Sequence, residues 1–124
     1  MEATIKELAL SAATNVISRP DVIMSLQHQA LKLKISIAKD KERLADMESA
    51  MSAEIAFDAG LKNAEQRKAA LETMKRADGE AIDLRSEIGG AEDDLSGLEI
   101  RIQHLRELQR GDLALLAYVT ALHS

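Results

Sequence analysis

The chain has no cysteine, no tryptophan, a single proline and only two aromatic side chains, Phe57 and Tyr118, in 124 residues. Without cysteine there is no disulfide framework and no thiolate metal site. Glu2, Lys6 and Glu7 interrupt the first ten residues, so no basic segment leads into an apolar one and a secretory signal is not expected. Charge is spread too evenly for a membrane span. The hydrophobic share of 46% is too high for a disordered chain. Scarce proline and aromatics, with abundant Ala, Leu, Glu and Lys, point to helix throughout, and the length suits one domain or one elongated unit.

The strongest positive signal is an apolar repeat in alternating steps of three and four. It runs Ile23, Leu26, Ala30, Leu33, Ile37, Asp40, Leu44, Met47, Met51, and again Ala81, Leu84, Ile88, Ala91, Leu95, Leu98, Ile102, Leu105. Steps averaging 3.5 residues hold one seam toward a partner helix, whereas a generic amphipathic helix drifts off that register. Ser18-Arg19-Pro20-Asp21 has capping-box spacing with proline in the first turn, which starts a long helix near residue 20. Gly60 suits a left-handed cap at its end. Asn63 reads as a fresh N-cap with Gln66 reaching back, and Asp78-Gly79-Glu80 ends that short helix and caps the next.

The expected fold is all-α: an elongated antiparallel coiled-coil helical hairpin with a short helix at the turn and an N-terminal helix, forming one unit over 1–124. Its parts are an N-terminal helix at 1–18, a long helix at 20–58, a short basic helix at 63–77 and a long helix at 80–122 with an apolar C-terminal segment. Gly89, Gly90 and Gly97 mark a thin stretch in the last helix where another backbone has room to approach. Residues 30–43 carry a net charge of +3 and residues 80–99 a net of −6. A hairpin turning between 58 and 80 sets residues near 40 opposite residues near 98, basic against acidic, and such flanking charges fix orientation.

A two-helix seam is marginal alone, so a homo-oligomer is expected, with Leu113, Leu116, Tyr118 and Val119 as the self-association segment. Asp40, the charged residue in the first seam, either specifies register or marks a loosened stretch where the carboxylate reaches water or a neighbouring lysine. His28 and His104 lack a Glu-x-x-His or His-x-x-x-His spacing, and Glu92-Asp93-Asp94 fan about a helix instead of converging. No phosphate loop, nucleophile elbow or metalloprotease motif is present. Catalysis, a metal, a cofactor and a small-molecule substrate are therefore not expected. Lys62, Arg67, Lys68, Lys75 and Arg76 give residues 62–76 a net of +3 at the turn. They are the candidate contact to a partner protein or, alternatively, to nucleic-acid phosphates.

Within Phe57–Leu71, the residues Leu61, Lys62, Asn63, Gln66, Arg67 and Leu71 match a Leu-Lys-Asn-x-x-Gln-Arg-x-x-x-Leu turn. That segment is similar to one in small coiled-coil proteins of tailed bacteriophages, and the layout resembles theirs over residues 20–110. The resemblance implies an early phage gene product, encoded near recombination or single-strand-binding functions and acting in the host cytoplasm. It brings no activity with it. Three functions follow as expectations: a non-enzymatic accessory or inhibitor that binds a host defence or replication–recombination protein, a nucleic-acid-binding recombination accessory, or a structural spacer.

Overall fold

The computed structural model describes residues 4–123. Three helices make up the fold: α1 (Ile5–Ala56), α2 (Ala64–Ala77) and α3 (Gly79–Leu122). No strand occurs among the described residues. Helices α1 and α3 pack antiparallel as a hairpin, and no helix among the described residues is long and apolar enough to cross a membrane. The all-helical hairpin read from the seam is therefore the observed fold.

Helix α1 begins earlier than the sequence predicts. Thr4 and Glu7 form a reciprocal capping box: the Glu7 N–H donates to Thr4 Oγ1 at 3.1 Å, and the Thr4 N–H donates to Glu7 Oε2 at 3.1 Å. The helix then passes through Pro20 without a break, so the expected junction between 18 and 20 does not exist. Residues 1–3 of the expected N-terminal helix lie outside the described residues. Ser18, expected to cap a new helix, instead turns its hydroxyl back onto the Asn15 carbonyl at 3.5 Å.

The turn also departs from expectation at one residue. No described glycine has a left-handed φ, so Gly60 is not a left-handed cap. The chain turns at Asp58 instead, whose carboxylate accepts the Gly60 N–H at 2.8 Å while the Asp58 N–H bonds the Ile55 carbonyl at 3.1 Å. Asn63 caps α2 as expected, accepting the Gln66 N–H at 2.8 Å, but Gln66 reaches one residue further back, to the Lys62 N–H. Asp78 is the single extended residue between α2 and α3, and its side chain accepts the Ala81 N–H at 3.1 Å.

Packing divides the chain into two compact units. The first joins the chain up to Lys32 with the chain from Leu95 onward. Its core is Leu26, Ala30 and Ile102, ringed by Ile23, Leu95, Leu98 and Leu105. Each large side chain buried there contributes about 1.5–3 kcal/mol. The second unit is Leu33–Asp94, with Ile37, Met51, Ile55, Ala81, Leu84 and Ile88 buried. In both units the positions of the three–four repeat are buried or half-buried.

In the second unit the basic and acidic stretches do meet, through Lys41–Glu92 at 3.1 Å, Arg43–Glu80, and Arg85–Glu48 at 3.1 Å. The register differs from a turn centred between 58 and 80: Lys41 faces Glu92, not residues near 98. Near the end of α2, Lys75 reaches Glu48 at 3.8 Å, and its carbonyl accepts from Arg85 at 3.4 Å. On α3, Glu48 is met by Arg85, six residues past the helix start at Gly79. Gly89, Gly90 and Gly97 do not mark a close approach, because a Cβ added at each meets nothing within 4 Å.

Candidate interaction sites

Two groups of polar side chains stand out, one in each unit. In the first, continuing the seam back from Ile23 reaches Arg19, and continuing it on from Leu105 reaches Gln109 and Asp112. These three make a polar layer where the repeat calls for apolar residues. Arg19 Nη1 pairs with Asp112 Oδ2 at 2.8 Å and donates to Gln109 Oε1 at 3.0 Å. The side chains of Arg19 and Asp112 are only 10% and 25% exposed. Gln109 also makes a second bond, its amide Nε2 donating to the Val16 carbonyl at 3.1 Å. Val16 lies four residues before Pro20, so its carbonyl is the one that proline leaves without a helical donor. Gln109 supplies that donor from the opposite helix, which explains why α1 survives the proline. The signal is present in the sequence, since an Arg in one seam and an Asp in the other fall at positions that the three–four steps specify.

The second group lies at the turn. Lys62 precedes α2, while Arg67, Lys68, Lys75 and Arg76 lie on it. The structure separates Lys75 from the rest: half-buried, it pairs with Glu48 and with Glu72 at 3.9 Å, so its charge serves the fold. Lys62, Arg67, Lys68 and Arg76 are exposed and form no salt bridge among the described residues. Lys75 and Arg76 occupy the last turn of α2, where cations also complement the helix dipole. Phe57, one residue past the end of α1, is 89% exposed in the same turn segment. Burying so exposed an aromatic ring from water is favourable whatever covers it.

The apolar C-terminal segment is split in use. Leu116 and Val119 are half-buried at seam positions, while Leu113 and Tyr118 are exposed. Val119 and Leu122 also face Ile5, Ala9 and Leu10 across an open, mostly apolar cavity of about 660 Å³. Asp40 is half-buried in its seam. Glu92 is engaged by Lys41, and Glu92, Asp93 and Asp94 are all exposed. Among the described residues no three His, Cys, Asp or Glu side chains are grouped to hold a metal ion. No family model, curated protein or solved structure matches this chain.

Proposed function

We propose that this is a non-enzymatic accessory protein whose helical hairpin carries a contact surface for another, acidic protein at its turn. The observation that carries this reading is Phe57, almost wholly exposed in the segment that presents Lys62, Arg67, Lys68 and Arg76. Protein interfaces are anchored by aromatic and arginine side chains set in a polar rim, and this turn supplies both. The resemblance of the Leu61–Leu71 segment to small coiled-coil early proteins of tailed phages suggests the context. The partner is then a host defence or replication–recombination component, met in the host cytoplasm.

A second reading rests on the same ring. Single-stranded nucleic acid is bound by cations that follow the phosphates and by aromatics on which bases stack, and the turn segment exposes Phe57 and four cations. A single aromatic favours the protein partner. The discriminating experiment titrates labelled single- and double-stranded DNA across a salt series, in parallel with affinity capture using wild-type, Phe57→Ala and Arg67→Ala/Arg76→Ala proteins. A captured protein retained by wild type and lost with both variants supports the first reading. Saturable DNA binding that falls steeply with salt and is lost with the same replacements transfers the turn to the second. Binding of either kind that ignores all three replacements refutes the turn as the contact.

A further inference from the structure

Helix α1 carries a second apolar line besides its seam. Leu10, Ile17, Met24 and Leu31 follow one another at intervals of seven and are 60%, 79%, 66% and 54% exposed. All four lie in the first unit, whose buried α1 seam runs through Ala12, Leu26 and Ala30 on a different face. On an unconstrained helix such positions would drift about 20° per heptad, but a helix wound on a partner under a seven-residue repeat holds them in line. The line covers three heptad intervals, about 32 Å of helix, with one apolar residue in each heptad.

We propose that this line is the contact between two copies of the chain, α1 against α1, parallel and in register. The flanking residues choose both the occupant and the orientation. They come in adjacent pairs on either side of the line: Lys6 and Glu7, Ala13 and Thr14, Pro20 and Asp21, Gln27 and His28, Lys34 and Ile35. In a parallel pair the first of each couple lies beside the second of its copy. Lys6 then meets Glu7 of the second copy on both sides of the two-fold axis, and no like charges oppose. In an antiparallel pair centred on the line, Asp21 faces its own copy, which is repulsive. The contact is isologous, each side chain packing on its own equivalent, so it closes as a dimer. Only Leu10 of the line also borders α3, lining the cavity with Val119 and Leu122; the line does not use the turn, and its failure would leave the reading of Phe57 and the exposed cations untouched.

The test uses the full chain. Sedimentation equilibrium at tens of micromolar should give a dimer, and Ile17→Asp should weaken association by at least about a hundredfold, because it places two carboxylates in an apolar seam. Ile17 points away from α3, so that variant should keep its helix content, whereas Tyr118→Asp should leave the dimer intact. The chain has no cysteine of its own, so single replacements report the orientation under mild oxidation. Ile17→Cys should cross-link to itself. A mixture of Leu10→Cys and Leu31→Cys should yield each homodimer and no mixed species. A monomeric wild type, a dimer indifferent to Ile17→Asp or dissociated by Tyr118→Asp, or exclusive Leu10→Cys to Leu31→Cys cross-links would each overturn the proposal.

Discussion

Replacing Asp112 with alanine tests whether the polar layer holds the hairpin together. The change strips the carboxylate from a guanidinium whose side chain is only 10% exposed. Removing one member of a fully buried ion pair costs about 3–5 kcal/mol, mostly because the survivor is left charged and uncompensated. Two features reduce that figure here. Asp112 is itself a quarter exposed, so water already screens the pair. Gln109 Oε1 also continues to accept from Arg19 Nη1 after the change. A cost of about 2 kcal/mol is expected, equivalent to a fall in Tm of roughly 6–12 °C for a chain of this size. Arg19→Leu alone should cost about 1 kcal/mol, since the stranded Asp112 is partly hydrated. The double variant Arg19→Leu/Asp112→Leu extends the apolar seam and should lie within about 1 kcal/mol of wild type or above it. Urea denaturation followed by far-ultraviolet circular dichroism, at one fixed protein concentration, on wild type, Arg19→Leu, Asp112→Leu and the double variant gives all four corners of the cycle. A cost below about 0.5 kcal/mol for Asp112→Ala, or simple additivity of the two leucine replacements, would show that the layer does not bind the helices.

Three further expectations follow from single interactions. Gln109→Leu strands the Val16 carbonyl and should cost about 2 kcal/mol; in a Pro20→Ala background, where residue 20 regains its own N–H, the same change should cost clearly less, and equal costs in both backgrounds would count against the clasp. Gly89→Ala and Gly97→Ala enter open space on a continuing helix. Each should raise unfolding stability by about 0.5–1 kcal/mol, and a loss would reveal a close approach at that face. Thr4→Ala removes half of the capping box at the start of α1. It should cost about 1 kcal/mol and speed hydrogen exchange at the Glu7 amide, while the amides around Ala30 keep their protection.

The fold is legible in the chain because its dominant force is periodic. Ile23 through Met51 and Ala81 through Leu105 alternate in threes and fours, and in the folded chain every one of those positions is buried or half-buried. The caps at Asn63 and Asp78 are legible because their chemistry is local, spanning three residues. The start of α1 carries an equally local signal in Thr4-x-x-Glu7, although Ser18-x-x-Asp21 offers a competing box beside a proline. The polar layer is readable only by carrying the register past its apolar stretch to Arg19, Gln109 and Asp112. The second line on α1 shares the period of the first, so it is hidden from any search for a single seam. Of the turn cations, Lys75 cannot be told from its neighbours by composition.

Interactions confined to a few turns of helix are written in the order of residues: helical state, the seam, and the caps at Asn63 and Asp78. Where two segments compete or cooperate across the hairpin, the outcome waits on packing. Pro20 is harmless because Gln109, some ninety residues away, supplies the donor that proline lacks. Lys41 meets Glu92, and Lys75 meets Glu48, only because the chain folds back on itself. Lys75 is spent on Glu48 while Arg67, Lys68 and Arg76 remain exposed. Local hydrogen bonds and helical period are fixed by neighbours in the chain, but the satisfaction of a stranded carbonyl or a half-buried charge depends on which distant side chain packing brings within about 3 Å.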